Sequence, residues 1–167
     1  MISLAAAILA FVTVQRLAEL LLSQRNTKAL LAEGAREHGA AHYPLLVALH
    51  AAWLAALWWW APGRAVDLPL LAMFALLQLG RVWVIATLGR RWTTRIIVLP
   101  GAPLVRAGPY RFVNHPNYWI VAAEIAVLPL VFGLAWLAVA FSILNLLVLA
   151  VRIRSENAAL SSLRDPA

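Results

Sequence analysis

The chain alternates between long apolar stretches and short loops that carry most of its charge. A helix needs about 20 mostly apolar residues to cross the hydrocarbon of a bilayer. Five stretches read as such spans, over about residues 2–22, 44–61, 68–88, 118–132 and 134–151. Pro44 falls in the first turn of the second, where a missing N–H does no harm. The last two are short and separated by Gly133 alone, so they predict a tight antiparallel hairpin, with Pro129 a candidate kink. The first lacks a basic start and carries Arg16 and Glu19 near its far end, so it reads as a retained span rather than a cleaved signal peptide. Residues 24–42 read as a helix lying at the interface. Trp92 to Leu99 is β-branched and ends at Pro100-Gly101, which predicts a short extended segment buried against protein. The expected fold is all-α and integral to the membrane, one domain over residues 1–167.

Composition closes off the alternatives. An ordinary soluble domain has about 45–50% apolar and roughly 25% charged residues, whereas this chain of 167 residues has 63% and 13%. Neither a soluble globule nor a disordered chain fits. The absence of cysteine removes disulfides, thiolate metal sites and a Cys nucleophile. A net charge of +7 would suit nucleic acid, but the cations sit in the loops of an apolar chain, which points to membrane topology. Arg25, Lys28 and Arg36 lie in the 24–42 loop, and Arg90, Arg91, Arg95, Arg106 and Arg111 in the 89–117 loop. Arg152, Arg154 and Arg164 follow the last span. The other side has Arg64 alone, so the N-terminus is expected outside and the two long loops and tail in the cytoplasm. Trp58-Trp59-Trp60 then reads as an aromatic belt at the outer face.

Ionisable groups inside spans are costly and mark pairing or function. Counted from the cytoplasmic end of each span, Arg16, His50, Arg81, Glu124 and Asn145 all fall six or seven residues in. At 1.5 Å per residue they share a depth of roughly 9–10 Å. Gln78 lies one turn from Arg81 on the same face. One reading is a structural network neutralising Glu124. The other is a reaction chamber that opens to the cytoplasm, and five contributing spans favour it.

Residues 108–119 read Gly-Pro-Tyr-Arg-Phe-Val-Asn-His-Pro-Asn-Tyr-Trp and join the basic loop to the fourth span. Pro109 and Pro116 restrict their neighbours, so His115 is expected in an extended conformation at the mouth of a helix. The first N–H groups of that helix favour an anion, and Tyr110 and Tyr118 offer flat faces for an adenine ring or a cation. Arg152 and Glu156 share a face beyond the last span. A cation, an acid, a histidine and aromatic faces at one end suit a zwitterionic, adenine-bearing cofactor.

At these residues the chain resembles the isoprenylcysteine carboxyl methyltransferase family of integral-membrane enzymes. That family has a Gly-x-Tyr-x-x-x-Arg-His-Pro-x-Tyr run, matched here by Gly108, Tyr110, His115, Pro116 and Tyr118. Its C-terminal Arg-Ile-x-x-Glu-Glu run is matched by Arg152, Ile153 and Glu156. Leu79 to Trp83 and Thr87 to Arg90 are similar too, and the likeness covers roughly residues 70–165. His42-Tyr43-Pro44, Leu49-His50 and Trp92-Thr93-Thr94 resemble a bacterial branch associated with O-methylation of long-chain alkylresorcinols and alkylpyrones. The resemblance implies S-adenosylmethionine in a cytoplasmic pocket formed by the last two spans, the 89–117 loop and the C-terminal helix. Tyr110, Arg111, His115, Pro116, Asn117, Tyr118, Arg152 and Glu156 would hold it. It also implies a lipophilic acceptor entering between helices in a bacterial inner membrane. Three departures stand out: Asn114 where the family has Arg, Asn157 where it has a second Glu, and Ala102-Pro103 where a His precedes the Leu-Val pair. Arg111 or Arg152 would then share in holding the carboxylate or ribose.

A carboxylate acceptor needs no base, whereas a phenol or enol does. Glu124 is the candidate base and Arg81 (or Arg16) the candidate cation for an oxyanion, with His50, Gln78 and Asn145 on the acceptor side. The alternatives are a nicotinamide-dependent membrane reductase and a non-enzymatic membrane protein. His38 and His42 have a helical metal spacing, but Gly39 stands where a zincin would place Glu, so no metal is expected.

Overall fold

Each of the first four helices begins where the sequence supplies a cap or a proline. The structure is a computed structural model that describes residues 3–164, and the side chains of residues 3–160. Helix α1, Leu4–Ala32, is capped by the Ser3 hydroxyl, which accepts from the Ala6 N–H at 3.2 Å. Helix α2, Tyr43–Trp60, carries Pro44 in its first turn. Helix α3, Leu68–Leu88, is capped by Asp67, which accepts from the Leu70 N–H at 2.9 Å. Helix α4, Pro116–Val131, starts on Pro116, and helix α5, Ala135–Arg164, follows a three-residue turn. Ile2, the expected start of the first span, and the side chain of Arg164 lie outside the described residues.

Four helices are long and apolar enough to cross a membrane, and α4, at 16 residues, is shorter. This qualifies the five-span expectation. Half of α4 is buried, including Val121, Ile125, Leu128 and Val131. It packs against both α3 and α5. Gly80 lets α3 approach it, since a Cβ there would stand 3.3 Å from the Ile120 side chain. Around α4 the core gathers Leu9 and Val12 of α1, Trp53 and Leu57 of α2, Phe74 of α3 and Leu137 of α5. At the same end Trp58, Trp59 and Trp60 are exposed, and Trp60 packs edge-on against Trp136 with centroids 5.0 Å apart.

The other end departs from the expected pattern. Residues 24–42 do not form a separate interfacial helix. α1 continues to Ala32, and strand β1, Arg36–His38, then pairs antiparallel with β2, Ile96–Val98, so the fold is not purely helical. Arg36 faces Val98, and His38 faces Ile96. The pairing satisfies backbone groups beside an apolar bundle, where an unpaired strand would be costly. The long α1 is held by its polar residues. Asn26 donates to the Trp92 carbonyl at 2.8 Å and to Gly89 O at 3.3 Å, and the Ser23 hydroxyl meets Thr94 Oγ1 at 2.8 Å. The last helix likewise runs past its expected end at Val151 and carries Arg152 and Glu156 on a rigid element.

Gly108 opens the turn that docks the 89–117 segment on α3. Its φ is +55°, and a Cβ would lie 2.4 Å from Thr87 Oγ1. Gly108→Ala therefore combines a left-handed alanine with a clash, a cost of about 2–4 kcal/mol. Thermal unfolding in detergent is expected to show a clearly lower Tm, and an unchanged Tm would contradict this docking.

Candidate active site

Polar residues from α1 and α3 close on one carboxylate of α4. Glu124 of α4 accepts at Oε1 from Gln78 Nε2 at 2.7 Å and from Arg81 Nε at 2.8 Å. At Oε2 it accepts from Arg81 Nη2 and from Arg16 Nη2, the latter at 3.1 Å. Arg81 thus grips Glu124 with both arms of its fork. Glu19 completes the set, accepting from Arg16 at 2.8 Å and from Arg81 at 3.3 Å. Gln15 joins Glu19 to Gln78. Two cations and two anions cancel formally, which is what makes such a cluster tolerable among apolar helices. Glu124 is 2% exposed and all of its acceptor positions are taken.

A second cluster stands where the 108–118 segment meets α5. His115 is the N-cap of α4 and is not extended. It adopts φ 56°, ψ 49°, and is the one non-glycine with positive φ among the described residues. Pro116 disfavours the right-handed helical region for the residue before it. The left-handed conformation costs roughly 1–3 kcal/mol, which the surroundings must offset. They do so by gripping the ring: His115 stacks on Tyr118 with centroids 5.5 Å apart, Nδ1 lies 3.4 Å from Glu156 Oε1, and Nε2 lies 3.2 Å from Asn157 Oδ1. Tyr118 donates its hydroxyl to Glu156 Oε2 at 2.5 Å. The Arg152 guanidinium lies 5.8 Å from the Tyr118 ring centroid and donates to the Thr94 carbonyl at 2.8 Å. Burial, and next the charge of Glu156, raise the Tyr110 phenol above its usual pKa, so it stays protonated at neutral pH.

Thr94 ties the second cluster to α1 and α2. Its hydroxyl meets Ser23 of α1 and Tyr43 of α2, while its carbonyl holds Arg152 of α5. Between the clusters lies a cavity of about 1010 Å³, at the upper end of the roughly 300–1,000 Å³ usual for small-molecule sites. Arg16, His50 and Arg81 line one part of it, and Tyr110, Arg111, His115, Asn117, Tyr118, Arg152 and Glu156 another. Leu17, Leu46, Val47 and Leu54 give it an apolar wall. Glu124, Gln78, Asn145 and Pro116 are not among its lining residues. Glu124 and Gln78 stand behind Arg81, which corrects the expectation of Glu124 as a base, because no lone pair is left for a substrate proton. Asn145 is fully buried on α5, with both amide atoms unpaired among the described residues, and does not line the cavity on whose acceptor side it was expected.

The comparisons bear on what such a frame is for. The profile of the isoprenylcysteine carboxyl methyltransferase (ICMT) family matches residues 70–162. The chain belongs to that family. It is thereby an integral membrane protein of methyltransferase type, and the matched segment carries Arg81, Glu124 and the whole 108–118 and 152–156 cluster. An uncharacterized protein of Bacillus subtilis (strain 168), YpbQ, is 34% identical over 166 residues, covering 92% of this chain and 94% of its own length. An uncharacterized protein of Haemophilus influenzae is 33% identical over 157 residues, covering 89% and 90%. No solved structure matches.

Sequence reasoning missed Gln15 and Glu19 as members of the buried cluster, and Thr94 as the link from Ser23 and Tyr43 to Arg152 of α5. Gln15, Arg16 and Glu19 did leave a signal, being polar groups one turn apart in an apolar span. Thr94 left none, since its partners are far away in sequence. Breaking a buried pair costs about 3–5 kcal/mol. Glu124→Gln is therefore expected to lower Tm sharply in detergent, since two guanidiniums lose their shared counter-ion, and Glu124→Asp to recover part of the loss. A Tm equal to wild type for Glu124→Gln would contradict the geometry.

Proposed function

We propose that the protein transfers a methyl group from S-adenosylmethionine to a hydroxyl of a lipophilic acceptor, with the cavity opening to the cytoplasm of a bacterial inner membrane. The observation that carries this reading is the continuity of one cavity between two unlike surfaces, a polar aromatic end and an apolar wall set with cations. A soluble cofactor and a greasy acceptor need that combination.

The residues present fit the cofactor. Arg152 Nε and Asn117 Oδ1 are buried and unpaired among the described residues, and both residues line the cavity, so one donor and one acceptor stand ready. Arg111 and Arg152 suit a carboxylate, Glu156 suits an ammonium or a ribose diol, and the Tyr110 and Tyr118 rings suit an adenine or a sulfonium. His115 and Asn157 brace Glu156 and Tyr118, and Pro116 fixes the backbone that presents them. Bound there, S-adenosylmethionine supplies an electrophilic methyl on a sulfonium. The protein's part is alignment and electrostatics.

Arg81 uses three of its five donors on Glu124 and Glu19, and Arg16 uses two. The remaining donors are available to an oxyanion in the cavity. Glu124 is then a positioning residue that holds both cations in place. Such an arrangement helps a phenol or enol more than a carboxylate, which is already ionised. It supports the alkylresorcinol or alkylpyrone class of acceptor over a prenylcysteine. The excess of basic residues in the loops beside the cavity supports N-terminus-out topology, with α4 as a short fifth span packed against α3 and α5.

Three measurements test this. S-adenosylhomocysteine is expected to stabilise the purified protein against heat while NADPH does not, and stabilisation by NADPH alone would favour a reductase. Incubation with labelled methyl donor and membrane lipid extract is expected to label a lipophilic product at oxygen; no labelled product would contradict the reading. Glu156→Gln is expected to weaken S-adenosylhomocysteine binding about tenfold or more, since a charged hydrogen-bond partner is lost. Unaltered affinity would remove Glu156 from the cofactor site.

A further inference from the structure

We propose that His50 is the base that takes the proton from the acceptor's hydroxyl. The inference rests on the methyltransferase reading above and names the proton's destination within that site. His50 lies on α2 and lines the cavity together with Arg16 and Arg81. Its Nδ1 lies 2.9 Å from the Leu46 carbonyl one turn earlier. A carbonyl only accepts, so Nδ1 carries the hydrogen. In the neutral ring the lone pair is then on Nε2, at the far side of the imidazole from its own helix. No hydrogen bond engages Nε2 among the described residues, and it is not among the buried unpaired atoms.

The other bases that line the cavity are committed. Glu19 accepts from Gln15, Arg16 and Arg81. Glu156 is held by Tyr118 and His115, and both ring nitrogens of His115 face partners. The charged groups facing His50 are Arg16 from α1, Arg81 from α3 and Glu124 from α4. Glu19 of α1, Tyr43 of its own helix and Arg152 and Glu156 of α5 line the same cavity. The step balances simply. The acceptor's O–H bond breaks, the proton goes to Nε2 to give an imidazolium, and the electron pair stays on oxygen beside the Arg16 and Arg81 donors.

The test uses the full chain in detergent micelles with a chromophoric acceptor, 4-nitrophenol bearing a long alkyl chain, and no methyl donor. The wild type is expected to bind the probe as phenolate, with its titration moved at least about tenfold in acidity below that in empty micelles. No net proton is expected to leave for the solution, because His50 keeps it. His50→Asn retains a donor for Leu46 but lacks Nε2. It is expected either to lose the bound phenolate signal or to form phenolate only with release of about one proton per site. Wild-type protein with ¹⁵N-labelled histidine is expected to show one ring becoming an imidazolium as the probe saturates, a readout that does not need the variant to fold. The proposal is overturned by a wild type that leaves the probe's titration unmoved, by a His50→Asn protein indistinguishable from wild type, or by no histidine changing state. S-adenosylhomocysteine binding on the same preparation separates the cases. If it binds and the probe experiment fails, the base assignment falls and the methyltransferase reading stands; if it does not bind, the reading itself falls.

Discussion

The interaction on which the site depends is the grip of Arg81 and Arg16 on Glu124. A lone guanidinium facing an apolar cavity would be too costly to hold in place, and a lone carboxylate on α4 would be equally so. Placing two cations against two carboxylates, with Gln15 and Gln78 filling the remaining positions, cancels the formal charge and fixes each side chain. What is left over is a set of donors with no place in the cluster, on residues that line a cavity. The carboxylate that looks catalytic in the sequence is the one most completely consumed by structure.

Around that fixed point the connecting segments are themselves held rigid. The 108–118 segment is pinned by its prolines, by the docking of Gly108 on Thr87 and by a strained His115. The α5 extension brings Arg152 and Glu156 to it on a continuous helix. Thr94 joins α1, α2 and α5 through one hydroxyl and one carbonyl.

Much of this was legible in the sequence. The apolar stretches gave the helices because hydrophobic length is a local property. The shared depth of Arg16, Arg81 and Glu124 anticipated their cluster because span ends align at the interface. His115, Tyr118, Arg152 and Glu156 do meet, as their placement at one end of two neighbouring spans implied. The sheet was half legible: Ile96 to Val98 is β-branched, but Arg36-Glu37-His38 has no strand signal and is recruited by its partner. Helical structure after the first and last spans was legible, but its continuity with α1 and α5 was not, since the polar residues there read as separate helices until their distant partners are known. Asn145 shared the depth but not the cluster, because depth fixes height along a helix axis and says nothing of which face points inward.

On the proposed reading, one cavity holds a nucleoside cofactor at its polar aromatic end and an acceptor beside Arg16 and Arg81. A structure determined with S-adenosylhomocysteine tests this most directly. The nucleoside is expected among Tyr110, Tyr118, Arg152 and Glu156, with its sulfur directed toward Arg81 and His50. A nucleoside bound elsewhere, or one whose sulfur points away from the two arginines, would contradict it.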